Sequence, residues 1–257
     1  MLDLLIVTPT LNSDRFIEET ILSVKGITGI SYKHVIVDSF SRDRTLDICR
    51  RHGLDIYFCK PGNMYKAINY GLNTYKATLF TYINSDDLLN SNYVNECLKY
   101  FSFADVVYGN INYINEQSNT LFKKNAVDPF FLKHLFKYYN PVPQQGTIFK
   151  SEVFNKLSGF NTSYKYSSDY DFFARSYFSN FVYHKYKDNH VASFRLLSSQ
   201  LSQRSKDQMK TDGVIIRTKL PKKKLVLCRK TFAFLVRNIY NIKNLYNQYK
   251  YSPLHYT

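Results

Sequence analysis

Thr78-Leu79-Phe80-Thr81-Tyr82-Ile83-Asn84-Ser85-Asp86-Asp87 joins an apolar run to two adjacent carboxylates. The first six residues read as a buried strand. Carboxylates at the mouth of such a strand are costly unless something positive meets them. A divalent cation is the natural partner of Asp86 and Asp87. Hard oxygen ligands suit Mg2+ or Mn2+, which bind through one or two carboxylates together with substrate phosphates. The local alternative is a helix cap, with Ser85 or an Asp starting a helix near Ser91.

The same grammar runs upstream. Leu2 to Thr8, Tyr32 to Asp38 and Leu54 to Cys59 read as strands. Asp14 to Lys25, Asp43 to His52 and Met64 to Tyr75 have helical periodicity. Strands alternating with helices of this length predict right-handed βαβ units and an α/β fold with a mixed, mainly parallel sheet flanked by helices. Ligands of such sheets sit at the carboxyl ends of the strands, where Asp38 and Asp86 both fall. After about Ala104 the pattern changes. Asp105 to Ile114 and Phe181 to Tyr186 read as strands, Pro129 to Tyr138 and Asp169 to Tyr177 as helices, and the chain from about Gln203 as helical.

The 257 residues suffice for one large domain or one domain with an appendage. Lys and Arg number 35 against 20 Asp and Glu, a net charge of +15 that favours anionic partners. The cations crowd toward the end: Lys222, Lys223, Lys224, Arg229, Lys230, Arg237 and Lys243 come with no acidic residue and alternate with apolar ones. Residues 222–251 read as basic amphipathic helices, either packed on the preceding domain or lying against an anionic leaflet as a peripheral membrane contact. Cys49, Cys59, Cys97 and Cys228 show no metal-type spacing. No apolar run reaches the ~18 residues of a membrane span. The first residues lack the basic n-region of a signal peptide, so the expected location is cytoplasmic, at the inner face of the cell membrane if the tail binds lipid.

Several polar residues are candidates for chemistry. Asp38 can accept a hydrogen bond from a base N–H or cap the next turn. Thr8 and Thr10, on either side of Pro9, end the neighbouring strand and can line the same pocket. Lys66, in the helix carrying Ala67 and Gly71, can neutralise a phosphate or lie in solvent. Gln144 and Gln145 follow two prolines and offer amides suited to sugar hydroxyls. Asp169 and Asp171 are two apart and do not share a helix face. One can cap while the other serves as a general base toward a hydroxyl.

Five stretches in order carry a resemblance: Val7-Thr8-Pro9-Thr10-Leu11-Asn12, Val35 through Thr45, Ala67-Ile68-Asn69-Tyr70-Gly71, Ile83-Asn84-Ser85-Asp86-Asp87, and Ser168-Asp169-Tyr170-Asp171-Phe172-Phe173. Across most of Leu4 to Ser202 the chain resembles the family-2 glycosyltransferases of the GT-A fold, of the bacterial cell-surface polysaccharide type. The resemblance implies a GT-A domain over 1-202, with a nucleotide-sugar-binding half (1-103) and an acceptor half (104-202), followed by a helical basic extension (203-257). It makes Asp38 the base-binding acid, Asp86 the metal-binding last acid of the DxD motif, and Asp169 the catalytic base of an inverting transfer. Thr8, Pro9, Thr10, Lys66, Asn69, Asn84 and Ser85 would help bind the nucleotide sugar, a UDP-sugar being the expected donor. Gln144, Gln145 and Asp171 would face a glycan or lipid-linked acceptor. Three positions depart from the family. Asn84 replaces the first acid of the motif, Lys66 stands where many relatives have Asp, and Phe194-Arg195-Leu196-Leu197 lacks a His that helps hold metal in some.

Two other classes fit less well. A nucleic-acid-binding protein would spread its positive charge along a binding face, and no such motif is present. A nucleotidyltransferase would place glycines in the phosphate loop after the first strand, and Thr8 to Asn12 has none. A non-catalytic nucleotide-sugar binder remains the alternative to an enzyme.

Overall fold

The protein is described by a computed structural model over residues 2–197 and 205–221. Its first half is the expected alternation: β1 (Leu2–Thr10), α1 (Ile17–Lys25), β2 (Tyr32–Asp38), α2 (Thr45–Arg51), β3 (Asp55–Phe58), α3 (Met64–Leu72) and β4 (Ala77–Tyr82). The second half holds β5 (Leu88–Leu89), α4 (Ser91–Cys97), β6 (Val106–Ile114), β7 (Thr120–Lys124), α5 (Pro129–Leu135), β8 (Ile148–Lys150), α6 (Ser151–Lys156), α7 (Ser168–Phe178), β9 (Tyr183–Arg195) and α8 (Lys206–Lys219).

The nine strands among the described residues form one sheet, in the order β3-β2-β1-β4-β8-β6-β9-β5, with β7 also on β6. β1 to β4 pair in parallel, and β8 joins β4 to β6 in antiparallel fashion. The sheet therefore runs unbroken through both expected halves. Alternate residues of β1 enter different layers, as the pleat requires. Leu5 and Val7 pack with Ala67 and Ile68 of α3, Phe154 of α6 and Phe172 of α7. Leu4 and Ile6 pack with Val24 of α1 and with Tyr93, Val94 and Cys97 of α4. Burial on both sides explains why this half reads as near-continuous apolar runs.

The differences from the sequence expectations are local. α1 begins at Ile17 rather than Asp14, and α2 at Thr45 rather than Asp43. The Asp43 carboxylate accepts the amides of Asp14 and Thr45 and so stays in the turn. β9 reaches Arg195, well past the expected end at Tyr186, with register shifts beside Gly109 and Asn110. β5, β7 and β8 span only two to five residues, too few to show periodicity. Of the expected helical extension, α8 is described and packs on α7. The basic stretch 222–251 lies outside the described residues. No helix among the described residues is long and apolar enough to cross a membrane.

Candidate active site

The carboxyl ends of β1, β2 and β4 meet as the parallel sheet requires. Thr10 pairs with Asp38 across β1 and β2, and its hydroxyl donates to Asp38 Oδ2 at 2.8 Å. Ser41 adds its amide to Oδ1 (2.7 Å) and its hydroxyl to Oδ2 (2.6 Å). Asp38 is buried, and these three donors hold its carboxylate without a cation. Thr8 is also buried, with its hydroxyl 2.9 Å from His34 Nε2. Half-buried Pro9 lies between them. The loop after β1 is tied to the acidic loop by Ser13 and Ser85, whose hydroxyls lie 2.8 Å apart.

The two carboxylates of that loop have separate environments. Asp87 is buried and faces the protein. Its Oδ1 accepts the Arg195 amide (2.9 Å), its Oδ2 accepts Asn84 Nδ2 (3.1 Å), and Gln145 adds a side-chain hydrogen bond. Burial, followed by the neighbouring Asp86 charge, pushes the Asp87 carboxyl well above the ordinary carboxylate value. Asp86 is only half-buried. Donation from Asn84 Nδ2 to Asp87 fixes that amide, and Asn84 Oδ1 is buried with no hydrogen-bond partner among the described residues. Asp86 and Asn84 thus present hard oxygens in a loop that otherwise leaves a buried acceptor unsatisfied. No group of three His, Cys, Asp or Glu capable of holding a metal occurs among the described residues. The donor set fits a Mg2+ or Mn2+ whose shell is completed by substrate phosphate and water, the habit of these ions in nucleotide sites.

Arg195 is the residue that sequence reasoning passed over except as a missing His. Its side chain is completely buried. Nε donates to the Asp86 carbonyl (2.9 Å), Nη1 to the carbonyls of Asn115 and Glu116 and to Ser118 Oγ, and Nη2 to Glu19 at 2.9 Å. The guanidinium also lies 4.5 Å from the Phe16 ring centroid. One side chain therefore joins the acidic loop, α1 and the β6–β7 turn. Only the full length of β9 reveals it, because its side-chain hydrogen bonds span 77 to 176 residues of chain.

Across the site, α7 presents Asp169 in its first turn. Tyr65 Oη donates to Oδ1 and Asn140 Nδ2 to Oδ2, both at 3.0 Å. The Tyr82 hydroxyl hydrogen-bonds that of Tyr65, so a chain of side chains runs from the end of β4 to Asp169. Burial raises the Asp169 carboxyl above its usual value, against these hydrogen bonds and the first amides of the helix. Burial and the Asp169 charge hold the Tyr65 phenol well above its own, so it remains a donor.

The remaining candidates have partners within the protein. Asp171 is buried and bonds Arg175 Nε at 2.6 Å, while Arg175 holds the carbonyls of Leu157 and Gly159. Gln144 Nε2 donates to the Tyr82 carbonyl at 3.0 Å. Asn69 clamps Phe160 by donating to its carbonyl and accepting its amide. These three brace the walls of the site. Lys66 lies on the outer face of α3, in a separate cleft with Lys60 and Lys165.

Residues 5–160 match the family model described as Glycosyl transferase family 2. An uncharacterised glycosyltransferase of Rickettsia typhi is 28% identical over 178 residues, covering 65% of this chain and 56% of that protein. A Rickettsia prowazekii homologue is 24% identical and covered to 59%, so the chain spans little more than half the length of these relatives. Among solved structures, S. aureus TarS 1-349 in complex with UDP-GlcNAc superimposes with a TM-score of 0.63 at 15% identity, covering 98% of this chain and 74% of that fragment. A Pyrobaculum calidifontis mannosyltransferase in complex with GDP-Man and Mn2+ gives 0.63 at 15%, covering 97% and 73%. At these identities the likeness establishes the fold.

Proposed function

The chain belongs to glycosyl transferase family 2, and from that premise we propose that it transfers a sugar, with inversion, from a nucleoside-diphosphate sugar to a hydroxyl of a glycan or lipid-linked glycan. The observation that carries this reading is Asp169, a carboxylate held by Tyr65 and Asn140 and joined through Tyr82 to the strand end that bears Asp86. The base and the charge-bearing loop are thus two ends of one hydrogen-bonded frame. Positioning of this kind supplies much of the barrier reduction in a bimolecular displacement.

In this reading Asp169 accepts the acceptor's hydroxyl proton as its oxygen attacks the anomeric carbon. Its raised carboxyl is a better base than an ordinary aspartate of about 3.9. Tyr65 and Asn140 fix both oxygens and leave a lone pair for the substrate. Asp38, Thr10 and Pro9 form the base-binding end, with UDP-sugars the first donors to test. Asp86 and Asn84 would hold a Mg2+ or Mn2+, which when bound stabilises charge gathering on the leaving diphosphate. Asp87, already engaged by Arg195, Asn84 and Gln145, sets the shape of that loop.

The test is a panel of UDP-, GDP- and dTDP-sugars scored by thermal stabilisation with and without Mn2+. Binding to the folded state raises the apparent Tm by mass action. A Mn2+-dependent shift for one donor class is expected. If no nucleotide or nucleotide sugar shifts the Tm with metal present, the transfer reading fails.

A further inference from the structure

α5 and α8 bury their inner faces in one layer. Leu132 and Leu135 of α5, with Phe136 just after it, share that layer with Ile216 of α8 and with Leu220 just beyond. Arg217 Nη1 of α8 donates to the Tyr138 carbonyl at 3.0 Å and ties α8 to the end of α5. The outward faces are apolar and basic. Phe130 on α5 is 75% exposed, and Val214 and Ile215 on α8 are 52% and 41% exposed. Lys133 follows Phe130 by three residues, so the two share the outer face of α5. Lys210 precedes Val214 by four on α8 in the same way. Residues 129–139 include Lys133 and Lys137 and no acid, and residues 213–221 include Arg217 and Lys219 and no acid. Single exposed apolar side chains are ordinary, whereas a group of them rimmed by polar residues marks a contact surface.

We propose that the outer faces of α5 and α8 meet an anionic bilayer, with Phe130, Val214 and Ile215 entering the interface and the lysines meeting the headgroups. The charge along these faces complements an anionic leaflet, which draws basic segments to its surface. The composition is that of interfacial helices, whose apolar residues enter the acyl boundary while lysine stems lie along it. The chain leaves α8 at Leu220 and runs on as Pro221-Lys222-Lys223-Lys224, so the basic tail starts from this face and extends its charge. That tail is the poorer occupant of the face, because folding back would set cation against cation. Phe103 is a contrast: it is 57% exposed but packs on Tyr100 and His184 in the other layer of the sheet. The assignment does not need the transfer reading. Taken together with it, the base is held by the elements that bind lipid, since α8 packs on α7 and Asn140, just past α5, donates to Asp169.

The protein contains no tryptophan, so a single substitution makes a clean fluorescent reporter. Phe130→Trp and Ile215→Trp, each in the full chain, are mixed with phosphatidylglycerol vesicles with and without brominated acyl chains. Blue-shifted emission and quenching by bromine are expected at both positions. Phe103→Trp should keep its solution spectrum while the chain sediments with the same vesicles. Lys133→Gln should weaken partitioning about fivefold, the share of one cation near the leaflet. The proposal is overturned if either reporter keeps its solution spectrum on sedimented protein, because the tail alone would then hold the bilayer. It is equally overturned if both reporters already give their bilayer spectra without vesicles. A shift that ignores protein concentration would place the tail over the face, and one that grows with concentration a second copy of the chain. Failure to sediment at low salt overturns it as well. Failure of the transfer reading has a different signature, a silent donor panel with these spectra unchanged.

Discussion

In the proposed transfer Asp169 is the group that meets substrate, whereas Arg195 holds the loop. Asp169→Asn keeps the size of the side chain and removes the proton acceptor. Only the transition state needs that acceptor, so turnover should fall by about 10²–10⁴-fold while donor affinity holds. The raised carboxyl has a second consequence. Activity requires the ionised form, so the rate is lost as pH falls through a value above the ordinary 3.9 of aspartate. Tyr65→Phe removes a hydrogen bond to the ionised form and should move that acid limb higher still. An acid limb unchanged in Tyr65→Phe would mean that another group sets it. Arg195→Met takes a donor from the carbonyls of Asp86, Asn115 and Glu116, of which Asn115 keeps the Ser118 amide. The partial exposure of Glu19 limits what the ion pair itself contributes. Unsatisfied buried acceptors cost about 1–3 kcal/mol each before relaxation, so a total loss of about 2–4 kcal/mol is expected in urea unfolding. The freed Asp86 loop should also need more Mn2+ for half-maximal transfer. A variant that is destabilised but keeps the parental Mn2+ requirement would confine Arg195 to the fold.

At the scale of elements, α3 shows packing overriding propensity. Gly71 lies in the helix, where alanine is favoured by about 1 kcal/mol on propensity alone. A Cβ at that point would lie 2.6 Å from Val7 Cγ1 and 2.8 Å from Val37 Cγ2. Both valines are buried in central strands and stiff at χ1, so the helix has to move instead. Overpacking of this kind costs about 1–3 kcal/mol. Gly71→Ala is therefore expected to lower stability despite its better helix propensity, and an unchanged denaturation midpoint would refute the close packing. The same contrast explains what the sequence revealed. β1, β2 and β4 are buried on both faces, so their apolar runs are legible, and their ends place Asp38 and Asp86 without any tertiary knowledge. β9 is not legible past Tyr186 because Lys187, Asp188 and Asn189 interrupt it at the register shift. Arg195 was lost with it. Asp171 and Gln144 read as site residues because a polar side chain beside a motif resembles a ligand. Their partners, Arg175 and the Tyr82 carbonyl, are fixed by packing that spacing does not encode.

For the whole molecule the question is where the charge goes. Residues 222–257 hold eight Lys and Arg and no Asp or Glu, so 8 of the net +15 falls there and the other +7 on residues 1–221. This stretch lies outside the described residues, and its case rests on the sequence alone. A neutral patch of such composition would be an ordinary surface, whereas cations near an anionic leaflet contribute about 1 kcal/mol each. Several together exceed the marginal binding of a single weak anchor. The full chain is therefore expected to co-sediment with vesicles containing phosphatidylglycerol and to ignore purely zwitterionic ones. Because the Debye length shrinks from about 30 Å at 0.01 M to about 3 Å at 1 M salt, binding should weaken steadily as salt is added. Replacing Lys222, Lys223 and Lys224 with Gln should reduce the bound fraction without changing the donor-induced Tm shift, since none of the three is among the residues assigned to the donor. Binding that survives both the triple substitution and high salt would assign the attachment to apolar contact. No binding at low salt would leave the tail to a protein partner or to packing on the domain.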